Sequence, residues 1–498
     1  MAPELGGPGP YGQGLALTFP GPADGDIGGG TTPSGQNEDQ RRERARHERS
    51  ARLRQPLPLL KWRLPSGRGA TEQPNATGDG DAPLNAVFWL GIVLTGVAAG
   101  LFGDAMMALL FGAQHLAFNY SSGPFEQAVE RAGDSRRLIS LLVAGTVGGI
   151  SWYLLRRYTK AEKSEVDDAI WRGDARLSFR RCLGTGVISE VVIGMGASMG
   201  REQAPKLLGA ASGSVLSGWL RLTDGQRKLL VACGAGSGLA AVYNVPLGGA
   251  LFTAEVLLGS TVLPAVLPAL ACAFIATTTA WIYLPSHATY LDVPAYHLSV
   301  TLVSWSVLAG PVVGLLAAGY IRLIGWVSYR RSSGAKMVPA MVAAFGALGL
   351  IGFAYPQLFG NGKDVAHGAF LGQGTLTLLV ALCCLKPLVT ALCLKSGAAG
   401  GLFTPTLSTG ALLGAFLGLA WSQLWPGAPV GAFAMVGAAA MIGAAMQAPL
   451  AGLALVLELT HTGFALAVPM MAATVTATYV ARSVDGYSIY SARLPAEG

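Results

Sequence analysis

The sequence predicts an all-α, polytopic membrane protein, and three observations carry that prediction: a low charge content, many long apolar runs, and two halves that echo one another. Of 498 residues, 51% are hydrophobic and only 13% are charged. Soluble domains run near a quarter charged, so half that content points to lipid as the solvent. Apolar stretches long enough to span ~30 Å of hydrocarbon recur along the chain. The first lies within 84–118, interrupted only by Asp104 and a few small residues. Others occupy 138–155, 262–284, 302–327, 337–355, 376–394, 410–424 and 464–480. No single soluble core absorbs that many.

The amino-terminal region is different in kind. Residues 1–37 are rich in Gly and Pro without an apolar period, which reads as disorder. A basic run follows, with Arg41, Arg42, Arg44, Arg46, Arg49, Arg52 and Arg54, and then Lys61, Arg63 and Arg68. No apolar core stands behind Met1, so a secretory signal is not expected. Residues 1–83 are therefore read as a solvated cytoplasmic tail that follows the positive-inside rule, within reach of anionic lipid headgroups. The net charge of +7 owes much to this tail. Nucleic-acid binding is not expected of a tail tethered to so many spans.

Enzyme chemistry finds little footing. The six cysteines, Cys182, Cys233, Cys272, Cys383, Cys384 and Cys393, form no C-x-x-C pair and read as small buried hydrophobes. The six histidines are scattered, and neither a nucleophile elbow nor a P-loop is present. No metal or cofactor is expected.

The two halves show themselves as an internal repeat. Pro246-Leu-Gly-Gly-Ala-Leu-Phe-Thr-Ala-Glu255 reappears as Pro449-Leu-Ala-Gly-Leu-Ala-Leu-Val-Leu-Glu458. Upstream of these, Gly200-Arg-Glu-Gln-Ala-Pro205 has Gly400-Gly-Leu-Phe-Thr-Pro405 as its counterpart, again about 200 residues on. Two pairs in the same order argue against chance and place the halves near 85–284 and 298–486. Two-half transporters hold their substrate near the bilayer midplane, where broken helices meet. Gly-x-x-x-x-Pro segments suit such a place, because proline is tolerated in a first turn and glycine lets the backbone bare its amides. A helix start buried in the membrane offers partial positive charge and free N–H donors, which favour an anion.

These residues also carry a resemblance. Gly200-Arg201-Glu202-Gln203-Ala204-Pro205 resembles the GREGP motif of the CLC family of chloride channels and chloride/proton exchangers. Gly401-Leu402-Phe403-Thr404-Pro405, with Ser396-Gly-Ala-Ala-Gly400 before it, is similar to that family's GxFxP motif. The starts at Asn244 and Gln447 resemble the helix starts that follow these motifs, and Tyr490-Ser-Ala-Arg-Leu494 resembles the segment bearing the pore tyrosine. The set covers residues 85–494 in family order. It implies two inverted-topology repeats of tilted and broken helices, a cell-membrane location with many passes, and a homodimer with one pore per subunit.

By the same resemblance, Glu202 takes the position of the gating glutamate. Its carboxylate occupies an anion site when ionised and leaves when protonated; the alternative is an ion pair with Arg201 or Lys206. Gly200, Arg201, Gly401, Leu402, Phe403 and Tyr490 take anion-binding positions, against an interfacial-belt role for Tyr490. Glu255 and Glu458 are expected to serve the scaffold.

The chain departs from the family pattern in three places. The glutamate motif carries one extra residue between Glu202 and Pro205. The serine motif GSGIP is missing, and Thr159-Lys-Ala-Glu-Lys-Ser164 stands there, with Ala161 in the anion-binding position and Thr159 or Ser164 as candidate substitutes. The proton-relay position of exchangers holds Val256, which binds no proton, so uncoupled passage of chloride or a similar small anion is expected. A proton-coupled exchanger of chloride, nitrate or fluoride, with Glu162 or Glu165 as another proton route, and a transport-dead membrane scaffold are the alternatives. No cytoplasmic regulatory pair is expected after Gly498, by likeness to membrane-only, prokaryotic-style members.

Overall fold

Among the described residues, eight helices are long and apolar enough to cross a bilayer, and they coincide with the eight apolar runs of the sequence. The computed structural model describes residues 84–159 and 165–494, and all of its regular structure there is helical. The amino-terminal tail, the 160–164 segment with Ala161, and residues 495–498 lie outside the described residues.

The first half runs through α1 (Ala86–Phe118), α2 (Phe125–Arg131), α3 (Asp134–Tyr158), α4 (Val166–Arg172), α5 (Phe179–Gly194), α6 (Gln203–Trp219), α7 (Asp224–Tyr243), α8 (Pro246–Phe252) and α9 (Leu263–Ala280). A π-helical turn, Thr253–Leu258, extends α8. The second half comprises α10 (Val300–Tyr329), α11 (Met337–Ile351), α12 (Lys363–Phe370), α13 (Leu376–Lys395), α14 (Phe403–Ser422), α15 (Val430–Met446), α16 (Pro449–Thr460) and α17 (Ala467–Val484). Asparagine and threonine mark several boundaries. The Asn85 side chain accepts from the Phe88 amide at the start of α1, and Thr223 with Gln226 closes a capping box on α7.

Apolar side chains such as Leu90, Leu101, Ile139, Val147, Leu308 and Leu315 point outwards from the spanning helices. Such a surface is out of place in water and natural in hydrocarbon. The chain is a multi-pass membrane protein. Helices α6, α7 and α15, rich in glycine and alanine, are enclosed by the others. Small residues let their backbones approach closely, as helix packing inside lipid favours. A Cβ on Gly209 of α6 would overlap the Gly234 carbonyl of α7, and a Cβ on Gly414 of α14 would overlap the Phe433 carbonyl of α15. The same glycine-stitched pair thus occurs once per half.

A reciprocal exchange of carboxylates joins the halves. Glu458 of α16 accepts from the Leu247 amide (3.0 Å) and the Gly248 amide (2.5 Å) at the start of α8. Glu255, beyond α8, accepts from the Leu450 amide (3.2 Å) and the Ala451 amide (2.6 Å) at the start of α16. Each half satisfies free amides of the other's helix start, the placement that helix polarity favours for a carboxylate. This gives the scaffold role of Glu255 and Glu458 its physical content.

The stitching is testable. Gly209→Ala puts a methyl group against backbone that has no room to yield, and overpacking of this kind costs about 1–3 kcal/mol. A melting temperature several degrees lower for the purified protein is expected. Gly112→Ala, on α1 with open space around its Cβ position, is expected to leave it unchanged or slightly raised, since alanine outranks glycine in a helix. Equal melting temperatures for the two variants would refute the close-approach argument.

Candidate functional site

The two repeated glycine segments meet backbone to backbone. The Gly200 amide donates to the Gly401 carbonyl and the Gly401 amide to the Gly200 carbonyl, both at 2.8 Å, as an antiparallel bridge. Immediately after it the chain turns into α6 on one side and α14 on the other, so two helix starts lie together inside the protein. The extra residue in the glutamate motif does not disturb this. Helix α6 begins at Gln203 and α14 at Phe403, which makes Pro205 and Pro405 each the third residue of its helix. A first turn has four amides without helical partners, so proline costs nothing there.

Glu202 is the N-cap residue of α6, and its side chain turns across to the other helix start. One carboxylate oxygen accepts from the Phe403 amide at 2.7 Å, the first amide of α14. The other lies 3.1 Å from both the Thr404 hydroxyl and the Tyr243 hydroxyl, which are 2.5 Å from each other. Two hydroxyl protons therefore serve three contacts. The carboxylate is in effect an anion held at the amino end of α14. Glycine at both places leaves room for the carboxylate, because a Cβ on Gly200 or Gly401 would overlap its oxygens and push the side chain aside. Among the described residues Glu202 forms no ion pair with Arg201 or Lys206; Lys206 pairs with Asp167 instead.

The remaining predicted positions separate around this centre. The Arg201 guanidinium lies over the Tyr243 ring (5.0 Å to its centroid) and lines a vestibule of about 250 Å³ that also takes in Lys363, Asn361 and His287. Leu402 is the buried N-cap of α14. Tyr490 is only 6% exposed, which rules out an interfacial-belt position. It shares a small cavity with Glu202, Lys206, Leu402, Phe403 and Arg493. Val256 is fully buried in the π-turn beside the cap formed by Glu255. Of the possible substitutes for the missing serine, Thr159 gives its hydroxyl to the Leu155 carbonyl (2.5 Å), and Ser164 lies outside the described residues.

Sequence reasoning missed Tyr243 and Thr404 as partners of Glu202. Thr404 stands inside the glycine-phenylalanine-proline motif, so its hydroxyl was a readable signal. Tyr243 comes just before the repeat at Asn244, and nothing local marks it.

The chain is similar to known proteins in sequence and in fold. The family model described as voltage gated chloride channel matches residues 147–482. The chain is 33% identical over 374 residues to a putative chloride channel protein ClcB-like of Ralstonia nicotianae, covering 72% of this chain and 85% of that protein. It is 28% identical over 409 residues to the voltage-gated ClC-type chloride channel ClcB of Salmonella typhi, covering 80% of this chain and 95% of the relative. Among solved structures, a slow cyanobacterial Cl-/H+ antiporter superposes with a TM-score of 0.72 at 21% identity, over 82% of this chain and 97% of that one. A CLC-type fluoride/proton antiporter follows at 0.67 and 21%, with the same coverage.

Proposed function

The chain belongs to the voltage-gated chloride channel family of anion-transporting membrane proteins, and from that premise we propose that it passes chloride or a similar small anion where α6 and α14 meet, with Glu202 as the gate and without stoichiometric proton exchange. One observation carries the reading: the Glu202 carboxylate occupies the Phe403 amide that an anion would use. A transported anion and a carboxylate cannot share that donor. Neutralising the carboxyl removes its attraction to the helix start and frees the site. Val256 supports the uncoupled form, since an aliphatic side chain carries no proton, and the relatives above bear the name channel.

Further parts of the proposal rest on the family likeness and on charge. The arginine-rich tail is assigned to the cytoplasm by the positive-inside rule, the host membrane is taken as the cell membrane, and the assembly as a homodimer. Proton-coupled exchange is the second reading, and Glu190 favours it. Its carboxyl group is fully buried on α5, and neither oxygen has a hydrogen-bond partner among the described residues. An intramembrane ionisable group of that kind is a candidate proton carrier.

Chloride efflux from liposomes holding the purified protein, with external pH recorded in the same vessel, separates these readings. Wild type is expected to release chloride without matching proton uptake. Glu202→Gln removes a charge–helix interaction worth about 1–2 kcal/mol, so its efflux is expected to change by roughly 5- to 30-fold and to lose its pH dependence. Proton movement that tracks chloride, and disappears in Glu190→Gln, would establish the exchanger. Absence of efflux for chloride, nitrate and fluoride would leave a membrane scaffold.

A second substitution tests the gate's seating. Tyr243→Phe deletes one hydroxyl donor from the triangle around Glu202, and hydrogen bonds to charged groups contribute about 1.5–3 kcal/mol. Its efflux is expected to shift in the same direction as that of Glu202→Gln, and to add nothing in the Glu202→Gln background. A full independent effect in that background would show that Tyr243 acts on the pathway without the carboxylate.

A further inference from the structure

Among the described residues, two lysines are buried within the helical bundle, and their surroundings differ. Lys386 on α13 donates to the Ser198 hydroxyl (2.9 Å), the Gly360 carbonyl (2.9 Å) and the Leu358 carbonyl (3.2 Å). An ammonium has three protons, so three acceptors complete it. That is a structural lysine, tying the segment before Gly200 to the 358–360 loop.

Lys206 on α6 has no such set. Its side chain is 4% exposed, and among the described residues its acceptor is a single carboxylate, Asp167 of α4, itself 6% exposed. Both oxygens of Asp167 stand 3.4 Å from the ammonium nitrogen. Charge-assisted hydrogen bonds close to about 2.7–2.9 Å when they are made for stability, so this pair is slack. The rest of the ammonium faces aromatic surface, the Tyr490 ring at 4.5 Å and the Phe252 ring at 5.6 Å. Cation–π contacts hold a charge in place without consuming its protons. The group also lines the small cavity shared by Glu202, Phe403 and Tyr490. The other cation there, Arg493, is already engaged by Glu165 at 3.1 Å. Lys206 follows Glu202 by four residues, one helical turn further along the same face.

We propose that Lys206 is an anion-binding residue of the pathway beside Glu202, with Asp167 as the internal competitor that sets how much of its charge a passing anion meets. This rests on the pathway reading above and goes beyond it. It gives the cavity a cationic ligand in a chain whose sequence lacks the serine motif. The ligand class is a small monovalent anion of halide size, met by α14 amides on one side and by an ammonium on the other. A purely structural ion pair makes a different prediction: replaced by neutral side chains of similar volume it is often dispensable, and anion affinity is indifferent to it.

The test is chloride affinity of the full-length purified protein by isothermal titration calorimetry. Lys206→Met alone would strand a buried carboxylate, so the neutral pair Lys206→Met/Asp167→Asn is used, beside Asp167→Asn and Lys206→Arg, each checked for an unchanged elution profile. Asp167→Asn is expected to tighten chloride binding several-fold, because the competitor loses its charge. The neutral pair is expected to weaken binding at least tenfold, and Lys206→Arg to keep most of the affinity. Opposite shifts for Asp167→Asn and the neutral pair are the signature, since a purely structural pair leaves chloride affinity unmoved when it is neutralised. Wild-type affinity in the neutral pair would overturn the inference and leave the pathway reading intact. No binding by wild type of chloride, or of nitrate or fluoride titrated in the same way, would overturn the pathway reading, and the inference with it.

Discussion

Everything at the centre of this molecule depends on the double hydrogen bond between Gly200 and Gly401. It fixes two helix starts side by side, and two helix starts repel: each is a cluster of free amides with partial positive charge. In water such ends would be hydrated and screened. Inside a membrane protein they need negative charge or acceptor oxygens placed against them. The Glu202 carboxylate supplies this for the Phe403 amide. The rest of the fold keeps the ends from relaxing apart. Behind them stand the glycine-stitched pairs α6/α7 and α14/α15. Beside them, the Ser189 hydroxyl holds the Ala399 carbonyl at 2.8 Å, and Lys386 holds Ser198.

Much of this was legible in the sequence, because lipid and helix termini impose local rules. Eight apolar runs became eight candidate spans, since a helix that satisfies its own backbone is the simplest way across hydrocarbon. The repeats at Pro246 and Pro449 marked helix starts, since proline fits a first turn. The enclosed helices were harder to read. In α7, glycine and alanine carry neither a strong apolar signal nor a polar face, while α15 is apolar but too short to read as a span, and only packing against a partner shows what the small residues are for. Pairings between distant segments were beyond reach for another reason. Lys206 and Asp167 are 39 residues apart, and Tyr243 and Thr404 are 161 apart. Nothing local in either segment announces the other, so the sequence offers Glu202 as a partner for Lys206 while the fold carries that lysine towards α4.

The extra residue in the glutamate motif shows how an apparent departure can be absorbed. Counted from the motif, Pro205 is displaced by one position. Counted from the helix, Pro205 matches Pro405, third in both. Backbone hydrogen bonding constrains proline only beyond the first turn, so the motif's spacing had freedom that the helix geometry did not. The position that matters is the N-cap, and Glu202 and Leu402 both occupy it.

That equivalence exposes the asymmetry built onto a symmetric frame. At the Glu255 and Glu458 positions both halves kept a carboxylate, and each caps the other's helix. At the N-cap pair only one half carries a carboxylate, Glu202, and the other offers leucine and a bare amide. The symmetric pair is a closed exchange with nothing left over, which suits a scaffold. The asymmetric pair joins one movable side chain to one set of donors, and a side chain can leave where a backbone bridge cannot. On the proposed reading this is why a gate can open without loosening the fold. The Gly200–Gly401 bridge and the reciprocal caps hold the helix starts in position whether or not the Glu202 carboxylate lies between them, so the amide it releases remains oriented for an anion.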